Sequence, residues 1–194
     1  MQKLIEAESP ERPIYSIIKH GVLVKFDERD LNINGGYTPP RNVKVIGYGA
    51  FRNCNRLIKI KLHKGIVEIK PNAFWNCQNL ESVDMTDNVK RMGICAFMYC
   101  ENLKKIKLSS NIDCIEGHTF IGCTSLEQIK LPENLKRIEW SAFCECEKLK
   151  NVNMPQNLEY VDENSFYLTP VGDSFIRKFE ENKKSAEQSK GVNE

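Results

Sequence analysis

Eight cysteines stand in this 194-residue chain. Five of them, Cys54, Cys77, Cys100, Cys123 and Cys146, recur every 23 residues and close the pentapeptides "AFRNC", "AFWNC", "AFMYC", "TFIGC" and "AFCEC". A thiol beside aromatics is a redox centre, a metal ligand, half a disulfide or packing filler, and the spacing weighs these against each other. Stacked equivalents point their Cβ atoms the same way, whereas a disulfide needs a dihedral near a right angle. Metal ligands converge on a point, and a linear ladder diverges. The C-x-C of Cys144 and Cys146 is a weak zinc signal without a second pair. No metal and no cofactor is expected. The column reads as small buried apolar side chains, inert because burial raises the thiol pKa.

Two cysteines off the column raise other chemistry. Cys114 is the equivalent of Glu68, Arg91, Arg137 and Tyr160, and lies between the inward Ile112 and Ile115. It is expected to face outward with Arg91 and Arg137 on the flanking coils, and two guanidinium groups favour a thiolate. Cys114 is therefore the candidate reactive thiol, against the plainer reading of an ordinary surface cysteine. Cys95 and His118 are equivalents on adjacent coils. A Cys–His pair can be nucleophilic, yet no orienting acid or oxyanion donor is evident. The chain is read as no enzyme.

The elements that position these residues follow from the same period. Phe51, Phe74, Phe97, Phe120, Phe143 and Phe166 are spaced by 23 without a slip. Apolar columns keep step with them, among them Leu57 to Leu149, Ile60 to Val152, Leu62 to Met154, Val43 to Leu158 and Ile46 to Val161. Within a unit, Leu80-x-x-Val83-x-Met85 alternates as a short half-buried strand does. Ala73-Phe74-x-x-Cys77-x-x-Leu80 has a period near three, suited to a helical or 3₁₀ turn. Val89-x-x-Met92 supplies an apolar pair for the opposite wall. One coil cannot bury its apolar side alone, so the chain is a repeat solenoid whose columns merge into one core.

"IGYGAFRNCNRLIKIKL" (46–62) and "IEWSAFCECEKLKNVNMP" (138–155) resemble the BspA-like leucine-rich repeats, a 23-residue class common in surface and secreted proteins of bacteria and protists. Gly47 and Gly93 match the motif's glycine, while Lys70, Glu116 and Glu139 replace it elsewhere. Its proline stands only at Pro132 and Pro155. The resemblance implies a leucine-rich-repeat, right-handed coil with a parallel sheet on one face and short helical or 3₁₀ turns opposite, capped at both ends. It implies a binding role and carries over no catalytic residue.

Residues 43–166 hold five full repeats and part of a sixth. Residues 1–42, with "GVLVKFDERDLNING", read as an N-terminal cap of strand, charged turn and strand. Residues 167–194 read as a short amphipathic cap helix around Phe175, Ile176 and Phe179, fading into a disordered polar tail. The N-terminus lacks the unbroken apolar stretch of a signal peptide, and no apolar run is long enough to span a membrane. With eight cysteines, this favours a reducing, cytoplasmic setting, or the cell surface if the chain is a fragment.

Net charge is only +2, but strand alternation sorts it. Lys59, Lys61 and His63, Ser82, Asp84 and Thr86, Lys105, Lys107 and Ser109, Gln128 and Lys130, and Asn151 and Asn153 are expected on the sheet's outer face. Five lysines there oppose one aspartate. This stripe suits an acidic protein surface, or an anionic glycan. Alternatively the lysines only keep an exposed sheet soluble. The lack of interleaved aromatics argues against nucleic acid.

Overall fold

In the computed structural model, residues 14–191 are described. The signal-peptide reading and the first part of the expected N-terminal cap lie outside them. Fourteen short strands and one long helix make up the described chain, together with one 3₁₀ turn. Every coil contributes a strand to each of two parallel ladders, and a turn-only third wall joins them.

The first ladder holds β3 (Gly36–Tyr37), β5 (Lys59–Lys61), β7 (Ser82–Asp84), β9 (Lys105–Lys107), β11 (Gln128–Ile129) and β13 (Asn151–Val152). The second holds β2 (Val22–Lys25), β4 (Val45–Ile46), β6 (Glu68–Ile69), β8 (Arg91–Met92), β10 (Cys114–Ile115), β12 (Arg137–Ile138) and β14 (Tyr160–Val161). Pairing is in register at the repeat step, as in Lys61↔Asp84↔Lys107 and Glu68↔Arg91. The apolar pair read from Val89 and Met92 thus forms a second sheet, beyond the single sheet expected. Each ladder is interrupted once, at the same place along the axis: β8 is not paired with β10, nor β9 with β11.

The third wall carries the "AFxxC" corners. Here two residues per coil adopt left-handed backbone: Gly49, Asn72, Cys95, His118 and Ser141 form one column, and Asn53, Asn76, Tyr99, Gly122 and Glu145 the other. Glycine and asparagine take φ > 0 at little cost, but a side chain such as Tyr99 costs roughly 1–2 kcal/mol. An offsetting gain is visible, since these amides donate to the next coil: Asn53 N–H to Trp75 O (2.9 Å), Tyr99 to Ile121 (2.8 Å) and His118 to Trp140 (3.1 Å). Between them each phenylalanine N–H reaches the residue before the next phenylalanine, as Phe74 does to Ala96 O at 2.8 Å.

Inside the corner the phenylalanine rings stack at 4.8, 4.9, 5.6, 5.2 and 4.9 Å between centroids. The caps extend the stack with rings that are out of step in sequence: Phe26 lies 4.5 Å from Phe51 and Phe175 lies 4.5 Å from Phe166. The cysteine column is wholly buried above Cys54, and all eight cysteines are free. Four column thiols donate to a carbonyl one coil back: Cys77 Sγ to Phe51 O at 2.9 Å, and Cys100, Cys123 and Cys146 to Phe74, Phe97 and Phe120 O at 3.2 Å. The first, Cys54, donates to Glu28 Oε1 at 3.4 Å. Cysteine thus fills the corner and adds a second donor to a carbonyl that already accepts a backbone N–H, as Phe51 O does from Cys54 at 3.0 Å.

At the N-terminal end the 23-residue step reaches back before residue 43, because Val22 pairs with Val45 and Gly36 with Lys59. β1 (Ile17–Lys19) runs antiparallel to β2 and covers that ladder's edge. The charged turn ties the hairpin down: Asp30 accepts from the Tyr15 and Ser16 amides (2.8 and 2.7 Å) and from the Ser16 hydroxyl. At the other end α1 spans Gly172–Gly191. The polar segment after Phe179 is therefore helical where a disordered tail was expected. Its Glu, Lys, Ala and Gln residues are strong helix formers, so the helix outruns the few apolar contacts that seat it.

Candidate functional site

On the first wall, Lys59, Lys61, Asp84, Lys105, Lys107, Gln128, Lys130 and Asn151 are exposed. Alternation positions them: Ile60, Val83, Ile106 and Ile129 between them are buried. None of Lys59, Lys61, Lys105, Lys107 and Lys130 joins an ion pair among the described residues. Asp84 is flanked in register by Lys61 and Lys107.

Other members of the expected face are committed elsewhere. His63 Nδ1 accepts from the Gly65 N–H and Nε2 meets Pro40 O, both at 3.0 Å, so the ring braces a turn. Asn153 holds Leu131 from both sides, its Oδ1 accepting from N–H at 2.7 Å and its Nδ2 donating to O at 3.0 Å. Ser109 is fully buried and Thr86 half-buried.

A groove of about 640 Å³ opens on the C-terminal part of this wall, between Lys104, Lys105 and Ile106 on one side and Gln128, Lys130, Lys150 and Asn151 on the other. Lys104 and Lys150 were missed because they precede their strands by one residue. Their column, Ile58, Glu81, Lys104, Glu127 and Lys150, alternates in sign, and that alternation was the available signal.

The second wall is also charged but pairs its charges internally. Glu68 takes Lys70 at 2.9 Å and Arg91 at 3.7 Å, Glu139 takes Arg137 at 2.8 Å, and Glu159 takes Lys136 at 3.5 Å. The surroundings of Cys114 differ from the expected pair of arginines. Arg137 pairs with it in register, Arg91 lies across the unpaired β8–β10 step, and both are drawn to carboxylates. Burial pushes the Cys114 thiol up to about 12, Glu116 and Glu139 add to the rise, and Arg137 only partly opposes it. These influences favour the protonated thiol.

Cys95 and His118 occupy left-handed corner positions. Burial raises the Cys95 thiol pKa and lowers that of His118, whose ring meets the edge of Trp140 at 3.9 Å. The Cys95 and His118 amides are already bonded to Gly117 O and Trp140 O, so the corner offers no free N–H pair to an oxyanion. Among the described residues no group of three His, Cys, Asp or Glu side chains is placed to hold a metal. No helix there is long and apolar enough to cross a membrane.

The family model described as the BspA type leucine rich repeat region matches residues 36–143 in six copies. No curated protein sequence matches. Among solved structures, a leucine rich cell surface protein from Faecalibacterium prausnitzii is 28% identical over 69% of this chain and 45% of its own, with a TM-score of 0.57. A leucine-rich repeat protein from Eubacterium ventriosum is 18% identical over 78% of this chain and 47% of its own, at 0.68. The T. pallidum leucine rich repeat protein is 20% identical over 88% of this chain and 95% of its own, at 0.67. The chain thus spans less than half the length of the first two. The last two likenesses concern the fold alone, and the repeat match decides the family: this chain belongs to the BspA-type leucine-rich repeat proteins.

Proposed function

We propose that the protein is a non-enzymatic interaction module that binds an acidic protein partner on its first wall. The observation that carries this reading is the set of five exposed lysines, none in an ion pair among the described residues, on one strand wall. A sheet needing only solubility is served equally well by the internally paired charges of the second wall, whereas unpaired like charges repel and favour an anionic partner. Capture from native lysate at two salt concentrations tests it. Lys61→Glu, Lys107→Glu and Lys130→Glu together abolish capture, and the melting temperature stays nearly unchanged. Retention of the same partners by the triple variant sinks the proposal.

A second reading is a cell-surface module that binds host or matrix molecules. It is favoured by the likeness to the F. prausnitzii protein, which is named a cell surface protein. Binding of the purified chain to immobilised matrix components, with no lysate partner, is the outcome that selects it.

A further inference from the structure

The interruption shared by both ladders falls between the coil of Phe97 and the coil of Phe120. On the first wall the coils on either side repeat one bond: Glu81 N–H to Ile58 O (2.8 Å), Lys104 to Glu81 (3.0 Å) and Lys150 to Glu127 (2.9 Å). The equivalent bond from Glu127 to Lys104 O is missing, as is the one from Gln128, although Lys105 and Asn151 make theirs. On the second wall Gly93 N–H reaches Ile69 O and Glu139 reaches Ile115 O, both at 2.9 Å, but Glu116 does not reach Met92. The third wall stays closed, with Cys95, Phe97 and Tyr99 all donating across. Phe97 and Phe120 are also the most widely separated pair of the stack, at 5.6 Å. The solenoid is therefore two blocks whose strand ladders do not bond across this step, although the strands stay in contact there. The corner wall joins them, as do the bonds from Ser125 N–H to Glu101 O (3.0 Å) and from Asn134 Nδ2 to Ser110 O (3.3 Å). The basic groove runs over β9, β11 and β13, covering this step and the bonded β11–β13 step beside it.

We infer that this seam is the docking site within the lysine face, and that its occupant is an extended acidic peptide segment laid across the groove. The inference rests on the reading of that face as the binding surface and narrows it to one place and one chemistry. Lys105 and Lys107 flank the seam on one side and Lys130 on the other, so carboxylates reach both blocks at once. The Lys104 carbonyl and the Glu127 and Gln128 N–H groups, left without each other, are one acceptor and two donors that a peptide backbone can meet. A sulfated or phosphorylated polymer supplies anions but no amide N–H for the carbonyl. Gln128 and Asn151 add side-chain amides beside the groove. A bound segment bridges the two blocks and stiffens the solenoid.

The test uses the full chain and a short poly-glutamate peptide as probe, followed by fluorescence anisotropy at physiological salt and by amide hydrogen exchange. Lys105→Glu with Lys130→Glu weakens binding about tenfold or more. Lys59→Glu with Lys61→Glu changes it about twofold at most at physiological salt, since that coil lies about 14 Å from Glu127's coil, beyond the screening length. In the free protein the amides of Glu127 and Gln128 exchange faster than those of Lys104, Lys105, Lys150 and Asn151, and the probe slows them.

Equal losses from the two lysine pairs overturn the seam while leaving the face reading intact. The same follows if Glu127 and Gln128 exchange no faster than their equivalents. Binding of a sulfated oligosaccharide without binding of poly-glutamate overturns the peptide chemistry. Lysate capture that survives the triple reversal overturns the face reading itself. Circular dichroism and melting of each variant confirm that these surface changes leave the solenoid folded.

Discussion

The two strand walls come from the same coil and rest on the same core, yet they treat charge in opposite ways. On the second wall Glu68, Glu139 and Glu159 each hold a cation from their own or a neighbouring coil. On the first, Lys104 holds Glu81 at 3.2 Å at the strand entrance, but Lys59, Lys61, Lys105, Lys107 and Lys130 stand with Asp84 alone among them. Folding does not require the difference, because both walls propagate with the same register and the same buried column. Exposed ion pairs contribute little to stability, about 0–1 kcal/mol each. The second wall therefore pairs its charges within itself, whereas the lysines of the first stand open.

The comparison breaks most completely where the walls share a support. Phe97 is fully buried, and its ring lies parallel to those on either side. Phe97→Ala removes the ring from the wider gap of the stack and costs about 3–5 kcal/mol, read as a lowered midpoint in urea. Both walls should fail together in that variant. A loss of only about 1 kcal/mol would mean that the seam collapses to fill the void, and that the two blocks are less rigid than the ring column suggests.

The period made the coil, its core columns and the outward lysines legible, because a one-residue slip would have exposed every apolar residue of a wall. What remained hidden were bonds that no column of apolar residues reports. Asn111, Asn134 and Asn157 recur at the repeat step, and each donates from Nδ2 to a carbonyl one coil back, of Asp87, Ser110 and Glu133. The column was present in the sequence but unread, since polar turn residues look alike until their partners are placed. His63 and Asn153 were assigned to a partner for the same reason: alternation gives a side chain's direction, not its hydrogen bond. The cap rings escaped because Phe26 and Phe175 break the 23-residue step while joining the stack in space. The seam leaves no trace in the apolar columns, which run through it unchanged.

A smaller effect sharpens the contrast. Glu68 serves two cations at once, Lys70 and Arg91. Glu68→Gln leaves both without an anion and brings the second wall towards the condition of the first. The expected cost is about 0.5–1 kcal/mol, diminishing as salt is raised. On the first wall, the triple lysine reversal should cost less than about 0.5 kcal/mol, as surface changes away from packed features do. Equal costs on the two walls would erase the distinction between paired and open charge.

The smallest expected effect concerns one thiol and not stability. Cys114 lies beneath the paired charges of the second wall with its pKa pushed up to about 12 by burial and by Glu116 and Glu139. Because the thiolate is the nucleophile, alkylation of the folded protein at pH 7 is slow at this position and rises about tenfold per pH unit through the alkaline range below that value. Glu139→Gln acts on two of the forces at once. It removes one carboxylate that raises the pKa, and it frees Arg137, now bonded to Glu139 at 2.8 Å, which lowers it. Alkylation at pH 8, located by peptide mass, then quickens about threefold or more. Fast labelling of the wild type at neutral pH would mean that Arg137 favours the thiol over Glu139, so that the second wall's charges are not paired among themselves. An unchanged rate in Glu139→Gln would mean that burial alone holds the proton, and the pairing on that wall would then have no chemical consequence at Cys114.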